Sequence, residues 1–311
     1  MEFIYCIDKN FNNQLSASIY SLLNNVDEDI NITILHDTPE SFIDYKIQLE
    51  KLSFCRQIKI IQIELGETSF PNLSNSHVSK ATYFRLFITQ HIKGDEVLIY
   101  LDADTIVFKN PMTLLKSEID KLSKSRNFIS ACIETDKIHN SDIFERLKLV
   151  STDYFNAGVM LLDNSKFKDY NLTSQLLKEM SDLNEAIKYW DQDVLNKYFD
   201  TNIEILDHRL NCKIDDDSPR VNLQSDPYIL HYAGSKKPWT IEGLTDIDSH
   251  YFQNNYLLAN NKKFYYMSTN WRLGTLKLLL KKICTFSIFN SKNYIKIIVS
   301  SLLLLTRRRV K

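Results

Sequence analysis

The chain has 311 residues, 44% hydrophobic and 25% charged, a normal globular balance and enough length for a large core. Five cysteines, at 6, 55, 132, 212 and 284, form no C-x-x-C pair and no even framework; this excludes a disulfide scaffold and reads as reduced thiols in a cytosolic protein. The net charge of −1 hides an asymmetry: the last acid is Asp248, and 249–311 carries twelve Lys and Arg, so that segment is +12 against −13 for the rest. Such a tail calls for an anionic partner, a membrane surface or nucleic acid. No secretory leader is expected, because strand-like F-I-Y-C-I follows Met1 directly.

In chain order, E-F-I-Y-C-I-D (2–8) predicts a strand, and Leu15, Ile19 and Leu22 or Leu23 at helical spacing predict a helix over 13–24. A strand follows at 30–35, then a helix at 39–52 with Pro39 in its first turn. Next come a strand at 57–63, a helix near 78–90, a strand at 96–101, and strands near 128–134 and 154–162. The alternation predicts an α/β fold, a mostly parallel sheet covered by helices. Ligands bind beyond the carboxyl ends of such strands, where Asp8 and Asp102 fall. There are only six glycines and neither G-x-G-x-x-G nor G-x-x-x-x-G-K-[ST]. A nucleotide here would need something other than a glycine-rich loop to neutralise its phosphates, and a carboxylate-held metal would do so.

The stretch L-I-Y-L-D-A-D-T-I-V-F-K-N (98–110) places Asp102, Ala103 and Asp104 inside an apolar run. Two carboxylates at a buried strand end are costly to desolvate unless a cation pairs with them. At i and i+2 of an extended chain they share a face and can reach one divalent ion, Mg²⁺ or Mn²⁺ given oxygen ligands. The plain alternative is a solvated loop. A rival chemical reading takes D-x-D-x-T as similar to the first motif of haloacid-dehalogenase-type phosphatases, with Asp102 as nucleophile. It ranks lower, because nearly a hundred residues precede the motif and no later G-D-x-x-x-D exists; D-D-D at 215–217 lacks an apolar strand before it.

Four further stretches matter: S-K-A-T-Y-F-R-L-F (79–87), Y-F-N-A-G-V-M-L-L-D (154–163), Y-W-D-Q-D-V-L-N (189–196) and I-L-H-Y-A-G-S-K-K-P-W (229–239). Taken singly each has a bland reading: Arg85 as a solvated helix residue, His231 as a core histidine, Asn156 as a turn residue, Asp191 as a helix cap. Together with 98–110, and in this order, they resemble glycosyltransferase family 8, which includes glycogenin and bacterial lipopolysaccharide α-galactosyl- and α-glucosyltransferases. The resemblance covers roughly 1–240 and implies a GT-A, Rossmann-like catalytic domain that binds a UDP-sugar and transfers its hexose with retention. It implies that Asp102 and Asp104 hold a metal with His231 as third ligand, and an imidazole tilts the choice from Mg²⁺ toward Mn²⁺. Asp8 and Asn10 would lie by the uracil and ribose, although Lys9 and Phe11 stand where many relatives have an acid and a tyrosine. Arg85 would contact the donor, with Lys80 nearby. Asn156 and Ala157 would face the transferred sugar, Asp191 would bind its hydroxyls, and Gln192 would sit beneath the anomeric carbon. Gly234 and Lys237 would meet the diphosphate. Gln192 is a poor nucleophile, so the expected route is same-face attack, with a diphosphate oxygen taking the acceptor proton.

Residues 241–311 read as a basic, partly amphipathic extension. In L-K-L-L-L-K-K-I (276–283), Leu276, Leu279, Leu280 and Ile283 share one face, away from Lys277, Lys281 and Lys282. The apolar run within 295–309 is shorter than the ~20 residues a spanning helix needs. The expectation is an interfacial helix over 271–311 on an anionic membrane, with helical packing on the sheet as the alternative. Nucleic acid is not expected, because aliphatics rather than stacking aromatics dominate the end. The expected acceptor is therefore a lipid-linked glycan, reached from the cytoplasmic face of the membrane. The other classes kept open are the phosphatase and a catalytically silent glycan- or membrane-binding module.

Overall fold

The computed structural model describes residues 1–71, 79–134, 141–215, 221, 223–260, 272–291 and 294–306. Strand β1 (Glu2–Ile7) leads through a short 3-10 turn into α1 (Asn12–Asn25), whose Leu15, Ile19, Leu22 and Leu23 are all buried. After β2 (Ile30–His36), the expected helix at 39–52 begins as a 3-10 turn, Pro39–Phe42, and becomes α2 only over Ile43–Leu49. Strand β3 (Cys55–Gln62) follows. The helix expected near 78–90 is mostly 3-10, Lys80–Phe87, ending in α3 (Ile88–His91). Three residues per turn eclipse side chains at i and i+3, which aligns Thr82 with Arg85.

Strands β4 (Val97–Leu101), β5 (Thr105–Val107), β6 (Ile129–Ile133), β7 (Phe155–Asp163) and β8 (Ile203–Ile205) follow, with α4 (Met112–Lys124) between β5 and β6. Around β7 lie α5 (Ser141–Leu147), α6 (Asn164–Asp169), α7 (Leu172–Leu183) and α8 (Trp190–Tyr198). Among the described residues the main sheet has seven strands in the order β3-β2-β1-β4-β7-β6-β8. Its pairings are parallel except on the two sides of β7, which runs antiparallel to β4 and β6. All nine residues of β7 are buried, as a central strand covered on both faces requires. A small second sheet joins β5 to β9 (Cys212–Lys213) through β10 (Ile229–His231), which lies between them.

Helix α9 (Ser249–Ala259) shares a core with α1 and the small second sheet: Phe252 and Tyr256 pack with Ala17, Ile106, Leu230, Tyr232 and Trp239. Beyond it, α10 (Arg272–Cys284), a 3-10 turn (Ser287–Asn290) and α11 (Tyr294–Thr306) place Leu279, Ile288 and Ile297 respectively against Ile241 and Leu244. The expected single apolar face of α10 therefore divides. Leu279 is buried and Ile283 partly so, whereas Leu280 is exposed with Phe286, Phe289, Ile295, Val299 and Leu302. No helix among the described residues is long and apolar enough to cross a membrane. Lys262, Lys263, Trp271, Lys292, Arg307, Arg308, Arg309 and Lys311 lie outside the described residues.

Candidate active site

Asp102, Ala103 and Asp104 lie in the connection between β4 and β5. The Thr105 amide donates to the Asp102 carbonyl at 3.1 Å, so the segment is a tight turn rather than the extended strand expected. The turn, not strand alternation, brings the two carboxylates together. It is anchored on both sides: the Asp102 amide donates to the Gly158 carbonyl, and the Tyr232 amide to the Asp104 carbonyl. Antiparallel pairing of β10 with β5 sets His231 opposite Thr105. The His231 Nε2 lies 3.4 Å from Asp104 Oδ1 and 3.8 Å from Asp102 Oδ2. One ligand atom from each of the three residues falls within 4.8 Å of the others.

The second oxygen of each aspartate is occupied. Asp102 Oδ1 accepts from the Tyr100 hydroxyl at 2.5 Å and from Arg85 Nη2 at 3.0 Å. Asp104 Oδ2 accepts from Lys237 Nζ at 2.7 Å, whereas its Oδ1 is buried and accepts no hydrogen bond. Burial pushes the Asp104 carboxyl up, but the Lys237 ammonium holds it well below the usual carboxylate range. Gly158 provides the space beneath. A Cβ there would stand 2.1 Å from His231 Cε1, 2.8 Å from Nε2 and 2.9 Å from Asp102 Oδ2. These observations fit a divalent cation: two carboxylate oxygens and one imidazole nitrogen converge, one oxygen orphaned and buried, while the partner atoms are tied to protein donors.

Arg85 is almost fully buried. It stacks over the Tyr100 ring, sends Nη1 to the Ala157 carbonyl, and pairs through Nε with Asp191 Oδ2 at 2.6 Å. Thr82, one 3-10 turn earlier, donates to Asp191 Oδ1 at 2.7 Å. Burial lifts the Asp191 carboxyl to about 6, outweighing Arg85 and Thr82, which lower it. Trp190 precedes it with φ of 48°, a strained conformation that turns the start of α8 into the site. Gln192 Oε1 accepts from the Ala157 amide at 3.1 Å and from Asn156 Nδ2 at 3.4 Å. Asp193, the other acid flanking Gln192, is fully buried. It accepts from Arg146, the Tyr154 hydroxyl and the amides of Lys188 and Tyr189, which makes it a structural hub.

Asp8 caps the first turn by accepting from the Asn10 amide at 2.8 Å, and Asn10 itself is exposed. Lys80 is exposed at the start of its 3-10 helix. The Gly234 amide donates to the Ile214 carbonyl. The structure thus joins Asp102, Ala103, Asp104, Asn156, Ala157, Asp191, Gln192, His231, Arg85 and Lys237 in one cluster. Arg85 and Lys237, expected on the donor, bond the acids of the site itself.

Five residues of the cluster were given no role by the sequence. Tyr100 lies inside the motif 98–110 and Gly158 inside 154–163, at the opening of its strand, yet neither motif assigns it a role. Cys6, beside Arg85, Asp102 and Asp191, carries a thiol whose pKa burial pushes up, so that it stays protonated. Glu134 directly follows β6, is 2% exposed and accepts from Asn156 Nδ2 at 2.8 Å. Asn211 accepts from His231 Nδ1 at 2.9 Å. The register shift between β6 and β7, where pairing jumps from Met160 to Asn156, bulges 157–159 into the site.

Residues 2–243 match the family described as Glycosyl transferase family 8. A putative glycosyltransferase of Haemophilus influenzae is 28% identical over 247 residues, covering 77% of this chain and 73% of that protein. The lipopolysaccharide 1,3-galactosyltransferase of Salmonella typhimurium is 28% identical over 264 residues, covering 80% and 76%. In fold, the chain is similar to the galactosyltransferase LgtC in complex with donor and acceptor sugar analogues, with a TM-score of 0.67 at 20% identity over 88% of this chain and 99% of that one. The family match replaces the phosphatase reading of Asp102: the chain is a GT-A glycosyltransferase and belongs to glycosyltransferase family 8.

Proposed function

We propose that the protein moves glucose or galactose from a UDP-sugar to a lipopolysaccharide or other lipid-linked glycan, with retention at the anomeric carbon. The observation that carries this reading is the convergence of Asp102, Asp104 and His231 over Gly158. Those three residues would hold Mn²⁺, with Mg²⁺ as the alternative ion. When bound, the ion supplies Lewis-acid stabilisation of the charge that builds on the departing diphosphate. Asp8 and Asn10 take the uracil and ribose, and Gly234 lines the diphosphate side. Lys237 keeps Asp104 ionised and adds positive charge there. Arg85 holds Asp191 and Asp102 in fixed relation, so that Asp191 meets the donor hydroxyls.

The arrangement at Gln192 supports same-face attack. The Ala157 backbone amide can only donate, so the atom facing it is the Gln192 oxygen, and both its donors lie in the protein wall. An oxygen so engaged does not attack carbon. Asp193 is sequestered by Arg146 and Tyr154, which removes one of the two acids flanking Gln192 as a nucleophile. A diphosphate oxygen is then the base for the acceptor proton.

A donor screen by UDP release, with and without Mn²⁺, tests the reading. Metal-dependent release from UDP-glucose or UDP-galactose is expected, and none from any UDP-hexose overturns it. The exposed apolar side chains of 280–302, with Lys277 and Lys281 beside them, support attachment of 271–311 to an anionic membrane. The enzyme would then work at the inner face of the cytoplasmic membrane, with 1–240 carrying the chemistry.

A further inference from the structure

We propose that Asn211 is a positioning residue: it fixes the His231 tautomer and couples the metal ligand to the wall beneath the sugar. The proposal rests on the metal reading above. It follows from a chain of hydrogen bonds whose direction is set by the backbone. The Gly158 amide is a donor only, and it donates to Asn156 Oδ1 at 2.9 Å. That atom is therefore the carboxamide oxygen, and the Asn211 atom 2.9 Å from it is the amide nitrogen, Nδ2. Asn211 must then present Oδ1 to His231 Nδ1, at 2.9 Å, which places the proton on Nδ1 and the free lone pair on Nε2. Nε2 is the atom facing Asp102 and Asp104.

The other end of the chain reaches the sugar floor. With its oxygen committed, Asn156 donates through Nδ2 to Glu134 Oε1 and to Gln192 Oε1. Asn211 is 5% exposed, just before β9, which pairs with β10 in a register that sets Lys213 beside His231. One buried carboxamide thus serves two functions that can be separated chemically. Its oxygen serves the metal ligand and its nitrogen serves the sugar wall.

The test uses full-length protein and three readouts: free Mn²⁺ by electron paramagnetic resonance, steady-state turnover of the accepted UDP-hexose, and thermal unfolding. Asn211→Ala is expected to weaken Mn²⁺ binding about 10–100-fold, the usual cost of removing the group that orients a ligating histidine. Asn211→Asp keeps an acceptor for Nδ1 but sets an oxygen against Asn156 Oδ1. It is expected to restore Mn²⁺ binding while the KM for the UDP-hexose stays raised. Should Asn211→Ala fail to fold, Asn211→Asp alone decides between the two functions. Wild-type Mn²⁺ affinity in Asn211→Ala, or loss of Mn²⁺ binding and sugar turnover in parallel in Asn211→Asp, overturns the proposal. Absence of Mn²⁺ binding in the wild type overturns the metal reading, and this proposal with it.

Discussion

Gly158→Ala is the smallest change that tests the site. The added methyl would sit 2.1 Å from His231 Cε1, against ordinary carbon contacts of about 3.5 Å, so the ring must retreat by roughly 1.4 Å. The strand cannot absorb the strain. Gly158 lies in β7, its carbonyl accepts the Asp102 amide at 2.8 Å, and its amide is bonded to Asn156. The ring has little room either, because Asn211 holds Nδ1 at 2.9 Å. Metal–ligand distances tolerate only about 0.2 Å, so a displacement of this size removes His231 from any ion the aspartates hold. A misplacement of about 1 Å costs roughly 100-fold in rate, near 2.7 kcal/mol of barrier, and overpacking adds about 1–3 kcal/mol of destabilisation. Mn²⁺-dependent UDP release and Mn²⁺ binding, both on the full-length chain, measure the two effects. A folded Gly158→Ala enzyme with unchanged Mn²⁺ affinity and turnover would refute the argument that the glycine exists to seat the imidazole.

Asp104→Ala and His231→Ala should each abolish Mn²⁺-dependent turnover while the far-UV spectrum persists; full turnover by either variant in chelator-treated, Mn²⁺-restored buffer would exclude the metal site. Asp191 titrates near 6, so kcat/KM should rise with pH up to about 6 and then level, as the carboxylate forms and can accept from donor hydroxyls. Stability takes the opposite sign. Because this carboxyl is raised on folding, its contribution is complete below about pH 4 and is lost as pH rises through about 6. Unfolding free energies referenced to Asp191→Asn should show that decline, and a rise would contradict it. Asp193→Ala should cost about 3–5 kcal/mol in urea unfolding, since it takes from the buried Arg146 its nearest carboxylate; a loss below about 1 kcal/mol would remove its structural role. Phe286→Ser with Phe289→Ser, and Lys277→Glu with Lys281→Glu, should each reduce flotation on anionic vesicles, and equal flotation of all forms would discard the membrane proposal.

Much of this was legible in the residues themselves. Strands β1, β2, β3, β4, β6 and β7 and helix α1 follow from apolar runs and helical spacing, because periodicity records which side of an element is buried. The acids of 102–104 stood out because charge in an apolar run demands a partner. Partner choice across the chain is another matter. The tertiary structure decided that a turn joins the two aspartates, that β10 pairs with β5 to deliver His231, and that Arg85 and Lys237 hold the aspartates' second oxygens. It also decided that Gly158 is there for space rather than for a special backbone angle, and that the tail buries one apolar row while exposing another. None of these has a local signature. Each depends on which atoms, distant in the chain, arrive within a few ångströms, and only packing determines that.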